Sequence, residues 1–208
     1  MKFNKPKITR CIPKKIPECL KDNEFYNGLF NETPQETIYL KQTTFDSCIF
    51  ENINFNNIKL EGIDLLDVIF KNCDLSNQNF DKQMLGRVIF DNCKLTGASF
   101  IDSNLKDIEF NNCLAHYTNF SASKINNLRI IDSDFSETTF SKIELKNAEF
   151  KKTKFYNTEF LRTRLNGIDF SDCDINGIRF DQNSLNGIVI DSFQCQNIVG
   201  IFGVKVKN

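Results

Sequence analysis

Apolar residues return at every fifth position along most of this chain. Reading every fifth residue from Leu40 to Ile190 gives Leu40, Phe45, Phe50, Phe55, Leu60, Leu65, Phe70 and onwards. Thirty of these 31 positions are Phe, Leu or Ile, the exception being Ala115. Sixteen of the 21 Phe fall on this one register, and Phe25 and Phe30 extend it backwards. Two residues before each such centre, many positions hold a small or β-branched side chain, among them Cys48, Ile53, Ile58, Val68, Cys73, Val88, Ala98 and Ser103. Two residues after it, 19 of 31 are Gly, Asn or Asp. In an extended segment a centre and its i−2 neighbour point to the same side. Gly, Asn and Asp tolerate left-handed φ, so each five-residue unit reads as a short side followed by a bend.

Sorting the centres at 20-residue intervals shows how many sides close a turn. Phe80, Phe100, Phe120, Phe140, Phe160 and Phe180 form one column, and Leu65, Leu85, Leu105, Ile125, Leu145, Leu165 and Leu185 form another. Phe50, Phe70, Phe90, Phe110, Ile130, Phe150 and Phe170 form a third, whereas a 15-residue interval mixes Phe with Leu. The pattern predicts an all-β, four-sided solenoid of almost eight coils, about 37 Å long at the usual strand spacing of about 4.8 Å. Its interior is filled by the centres, each contributing roughly 1.5–3 kcal/mol, and leaves no room for a pocket.

Composition narrows the function. A net charge of −1 over 208 residues favours neither general nucleic-acid binding nor attraction to a membrane surface. No membrane-length apolar run or signal-peptide core is present, so a cytoplasmic protein is expected. The eight Cys include no CxxC pair; Cys73, Cys93, Cys113 and Cys173 share the i−2 position of one side, as buried thiols of a core ladder would. His116 is the only His, and no nucleophile or carboxylate constellation is enforced around it. Neither enzyme chemistry nor a cofactor, metal or small-molecule substrate is expected.

The surface and termini carry the remaining signals. All four Pro lie before residue 38, which divides the chain into an N-terminal strap or cap (1–37), a repeat shaft (38–192) and a tail (193–208). Residues 1–21 hold seven Lys/Arg against one Glu. On the side centred on Phe50, Phe70 and Phe90, the outward positions Ile49, Ile69 and Ile89 form an aliphatic stripe. The basic segment from about 5 to 20, with Ile8, Ile12, Ile16 and Leu20, is expected to cover it. The same side carries a net −4, with Glu109, Asp132, Glu149, Asp169, Asp172 and Asp191. In the tail, Phe193, Ile198, Val199, Ile201, Phe202, Val204 and Val206 are too apolar for a free end. They predict a short helix over 193–201 and a following strand, buried in a two-fold interface.

Units such as Cys-Asp-Leu-Ser-Asn (73–77), Cys-Lys-Leu-Thr-Gly (93–97) and Ser-Asp-Phe-Ser-Glu (133–137) resemble the pentapeptide-repeat family over about three quarters of the chain. That resemblance implies a right-handed quadrilateral β-helix. Two stretches, from Arg87 to Asp107 and from Asp191 to Val206, are similar to the Qnr group, which protects bacterial type II topoisomerases from quinolones. It implies a head-to-head dimer through the tail, a rod approximating duplex DNA in size and charge, and DNA gyrase and topoisomerase IV as partners, without direct contact to nucleic acid or membrane. Qnr members of Gram-negative type interrupt the coils with loops, whereas here the register runs unbroken from 38 to 192. A scaffolding rod with another protein partner is the alternative.

Overall fold

The computed structural model describes residues 2–20 and 22–205. Four eight-residue strands, Asp64–Lys71, Met84–Asp91, Asn104–Asn111 and Lys124–Ile131, stack in parallel at 20-residue offsets. Leu65, Leu85, Leu105 and Ile125 pair in one column, and Phe70, Phe90, Phe110 and Ile130 in the next. Each strand wraps two faces of the solenoid, bending at Asp67, Arg87, Asp107 or Asn127, whose φ is positive. The four faces are named below after the centres Leu85, Phe90, Leu95 and Phe100. The stack starts above residue 38, because Glu24–Tyr26 pairs with Thr44–Asp46 and Gly28–Phe30 with Ile49–Glu51. Phe25 and Phe30 are therefore core residues of a first coil.

Left-handed backbone marks nearly every corner, including residues that seldom adopt it, such as Lys82, Tyr117, Ala122, Glu137 and Lys142. Each costs about 1 kcal/mol. Hydrogen bonds to the next coil offset this, as in Ala122 N to Ser141 O (2.9 Å) and Glu137 N to Tyr156 O (2.7 Å). Where Asn occupies a corner its side chain adds a rung: Asn92 Nδ2 donates to Asn72 Oδ1 (2.7 Å), and Asn72 Nδ2 to Asn52 Oδ1 (3.0 Å).

The core has two layers of order. Phe80, Phe100, Phe120, Phe140 and Phe160 stack with centroids 4.8 Å apart, the spacing the strands impose, and meet the Phe90 column edge-on. Beside them, i−2 side chains donate to backbone carbonyls 23 residues earlier: Cys93 Sγ to Phe70 O (3.4 Å), Ser103 Oγ to Phe80 O (2.6 Å), Gln78 Nε2 to Phe55 O (3.0 Å). The thiols thus fill a small site and satisfy a second acceptor lone pair. Burial pushes Cys48 and Cys173 up to about 11 and Cys113 to about 12, so these sulfurs stay protonated and unreactive. At Ala115 the core is not thinned. Phe135, one coil below, reaches Phe110 (5.3 Å) and Phe120 (6.4 Å) of the Ala115 coil.

Both ends depart from the strict repeat. At the top, the 3-10 turn Ile16–Leu20 inserts Ile16 and Cys19 as a lid on the core. At the bottom the register slips by one: Asn183 is exposed while Ser184 is buried, drawn in by hydrogen bonds to Asp181. Gln194 then seals the base, its Nε2 donating to Phe170 O (2.9 Å) and Cys173 O (2.7 Å). The tail forms the helix Cys195–Val199 and a 3-10 turn, Gly200–Phe202. The strand expected beyond it does not form through Lys205, since no neighbouring strand edge runs beside these residues; Val206 lies outside the described residues.

Residues 2–11 climb one corner of the shaft. Lys2 O accepts from Asn127 Nδ2 (3.2 Å), and Asn4 N and Nδ2 donate to the two Asp107 oxygens (3.2 and 3.0 Å). Farther along, Lys7 N donates to Asp67 Oδ1 (2.8 Å) and Cys11 Sγ to Ser47 O (3.4 Å). Ile12 and Leu20 are exposed and Ile16 has turned into the lid, so these three do not lie along the shaft side as a row of apolar anchors. The segment is held by polar bonds to the corner, adding donors from Asn4 and Lys7 to the buried Asp107 and Asp67.

Candidate functional site

Charge on this shaft follows the coil. Among the described residues, eight of the eleven ion pairs join residues 20 apart: 41–61, 51–71, 67–87, 74–94, 109–129, 129–149, 134–154 and 159–179. The 20-residue interval that sorts the core also sorts the surface.

On the Phe90 face this rule changes the standing of the acidic residues. Arg129 lies between Glu109 (2.8 Å) and Glu149 (3.0 Å), and Lys151 reaches the other Glu149 oxygen at 2.6 Å. Those cations, Lys151 first and Arg129 with it, hold the Glu149 carboxyl below its ordinary range despite some burial. The Phe3 ring covers the Arg129 guanidinium at 5.2 Å, so the N-terminal segment closes this network. Glu109 is buried and Glu149 half-buried, and neither presents a free carboxylate. Asp132, Asp169 and Asp172 are exposed. Asp169 accepts from Ser171 N (2.8 Å), which lowers its pKa, and half-buried Asp191 accepts from Gln194 N (2.8 Å). Free negative charge is thus concentrated in the lower coils, beside the tail.

Two acidic residues that the sequence reading passed over sit at the corner between the Leu85 and Phe90 faces. Asp67 binds the Arg87 guanidinium through both oxygens (2.6 Å each), and the fully buried Asp107 accepts from Asn127 Nδ2 (2.7 Å). Burial raises the Asp67 carboxyl, but Arg87 and the Lys7 N–H more than offset it and leave it below its ordinary value. Their signal was the 20-residue partner at Arg87 and Asn127. The stripe Ile49, Ile69 and Ile89 is half-buried, two positions on from this corner.

In the tail, Phe193 is 85% and Phe202 60% exposed, Val204 and Ile201 are also exposed, and Ile198 and Val199 are half-buried. His116 Nε2 lies 3.1 Å from Asp134 Oδ1, and the Ser136 hydroxyl donates to that same oxygen (2.6 Å). Among the described residues no cluster of His, Cys, Asp and Glu could hold a metal ion, and no helix is long and apolar enough to cross a membrane. The interior is filled, and a surface cleft of about 580 Å³ opens low on the Leu85 face.

Comparison with known proteins places this architecture. A model described as "Pentapeptide repeat region" matches residues 63–140, and one described as "Pentapeptide repeats (8 copies)" matches 40–82 and 133–172. No curated protein matches. Among solved structures, a trypsin-treated variant of QnrB1, a plasmid-mediated fluoroquinolone resistance protein, is 18% identical, with 89% of this chain and 99% of that one covered and a TM-score of 0.41. HetL, a pentapeptide repeat protein involved in heterocyst differentiation regulation from the cyanobacterium Nostoc sp. strain PCC 7120, is 11% identical, with 81% and 85% covered and a TM-score of 0.47. The family matches together span residues 40–172, and the chain belongs to the pentapeptide-repeat proteins.

Proposed function

We propose that this protein is a DNA-mimicking rod that binds type II topoisomerases, DNA gyrase and/or topoisomerase IV, as a head-to-head dimer through the tail, and lowers quinolone sensitivity. The observation that carries the reading is the juxtaposition at the lower end: exposed Phe193, Ile201, Phe202 and Val204 next to the exposed carboxylates Asp169 and Asp172. A two-fold axis through the tail would bury those apolar groups, with Ile198, Val199 and Val206 among them. It would also bring two acidic ends together in the middle of a longer rod. Carboxylates so arranged stand where phosphates would sit in a basic saddle. The similarity of residues 191–206 to the Qnr tail supports the same reading. In this proposal residues 2–11 act as a strap over Ile49, Ile69 and Ile89, keeping that stripe from other partners.

Supercoiling by purified gyrase, with and without ciprofloxacin, tests it. Rising protein should inhibit supercoiling without drug or restore it with drug, and light scattering should give a dimer mass. The internal pairing of Glu109 and Glu149 favours a second reading, a scaffolding rod for another protein; a monomer without effect on gyrase selects it.

A further inference from the structure

On the lower Leu85 face Lys124, Glu144 and Arg164 share one 20-residue column, yet no ion pair forms along it among the described residues. Lys142 stands one coil above Arg162, held close by Lys142 N donating to Leu161 O (2.8 Å). Like charges about 4.8 Å apart along the backbone repel. Neither residue takes part in an ion pair among the described residues, and nor do Lys124, Lys146 or Arg164. All five line the one cleft of about 580 Å³, with Ile125, Ile143 and Leu145 as its apolar floor. Glu144 is the single carboxylate in the lining. Asp181, nearby, is already occupied by the backbone N–H groups of Arg162 and Ser184.

The backbone supplies a second, independent observation. Lys124 and Ile125 pair with Glu144 and Leu145, but the ladder stops there. Among the described residues no backbone hydrogen bond joins 144–147 to 164–167, and the N–H groups of Asn147, Arg164 and Asn166 find no acceptor in the protein. In the coils above, the equivalent groups bond to the neighbouring coil, as Lys124 N does to Ser103 O (2.8 Å). The seam is thus open at the edge of the cationic cleft, with Lys146 and Arg164 lining both. Unanswered cations and unpaired N–H donors are satisfied by the same thing, an anion with several acceptor oxygens.

We propose that this cleft binds a compact polyphosphate, as a free chain or as the phosphate tail of a nucleotide. Its volume falls within the roughly 300–1,000 Å³ of small-ligand sites. Duplex DNA fits poorly, because the basic groups are confined to three coils of a shaft whose other surfaces are mixed or acidic. The inference stands apart from the topoisomerase reading and uses different residues.

Titration calorimetry of the full chain with tripolyphosphate and, separately, with ATP tests it. The expected result is one site per chain, weakened at least tenfold in Lys146→Glu/Arg164→Glu and also weakened in the milder Lys146→Gln/Arg164→Gln, whose melting temperature should stay near wild type. A control pair outside the cleft, Lys59→Glu/Lys82→Glu, should bind as the wild type does. Tighter binding of ATP than of tripolyphosphate identifies a nucleotide; equal binding identifies the phosphate chain. Three results overturn the proposal: no heat with either probe, equal loss in the control pair, or tighter binding of a short DNA duplex than of tripolyphosphate.

Discussion

The middle coils and the lower coils are built from the same five-residue unit and differ in how completely they are closed. Between Asp64 and Ile131 the strands are eight residues long, every coil pairs with the next, and Asp67, Arg87, Glu109 and Arg129 find partners 20 residues away. Below Leu145, the Leu85 face loses its ladder, like charge meets like charge, and the repeat slips at Ser184. The middle spends its polar groups on itself. The lower end leaves Lys146, Arg164, Asp169 and Asp172 unspent, and unspent groups are what a partner can use.

Core charge insertion should break this contrast most visibly. Leu105 is fully buried, so Leu105→Asp places an unpaired carboxylate in a dry column and should cost about 4 kcal/mol or more, unfolding the shaft. Leu145 is half-buried beside the open seam, and Leu145→Asp should cost under about half of that. Thermal melts followed by circular dichroism compare the two. Equal losses would mean that the seam is as closed as the middle.

Corner chemistry comes next. Asp67→Asn should cost about 2 kcal/mol near neutral pH, because it leaves Arg87 half-covered and unpaired. Asp67 has a depressed folded-state pKa, so its contribution is present above the unfolded value of about 3.9 and is lost as pH falls through the folded value. The gap between wild type and variant should therefore close below about pH 4. A gap that stays constant into acid would detach the effect from this ion pair. Deleting residues 2–11 removes the N-terminal donors to Asp67 and Asp107 and, on the proposed strap reading, uncovers Ile49, Ile69 and Ile89. Lower melting temperature and greater binding of an apolar dye are expected, and no change in either would show the segment to be free.

Smallest is the backbone term. Ala122 sits at φ 59° with its N–H bonded to Ser141 O, so Ala122→Gly should stabilise by about 0.5–1 kcal/mol. Denaturant midpoints resolve that difference, and a destabilised variant would mean that the corner strain has been overestimated.

Much of this was legible in the residues. The five-residue period and the four columns follow from Phe, Leu and Ile alone, since a two-sided pleat and a fixed corner leave one way to bury them. The buried thiols were legible for the same reason. Corners at Tyr117, Glu137 and Lys142 were not, because nothing local favours left-handed φ there; hydrogen bonds from the adjoining coils impose it. The filling of Ala115 by Phe135 depends on a ring one coil away, which a per-position reading does not see. Among the six acidic candidates, Glu109 and Glu149 are bridged by Arg129, a pairing that a net charge summed over the face does not show. The basic cleft depends on where the ladder between coils stops, which no single position encodes, although Lys142 and Arg162, 20 residues apart, already break the pairing rule.

Whether the unspent acid of the lower end engages a topoisomerase is tested most directly by measuring gyrase binding for Asp169→Lys/Asp172→Lys, two exposed positions whose change leaves the core untouched. The account predicts binding weakened at least tenfold and a shallower dependence on salt, because these carboxylates stand in for phosphates. Wild-type affinity with wild-type salt dependence in this variant would contradict it.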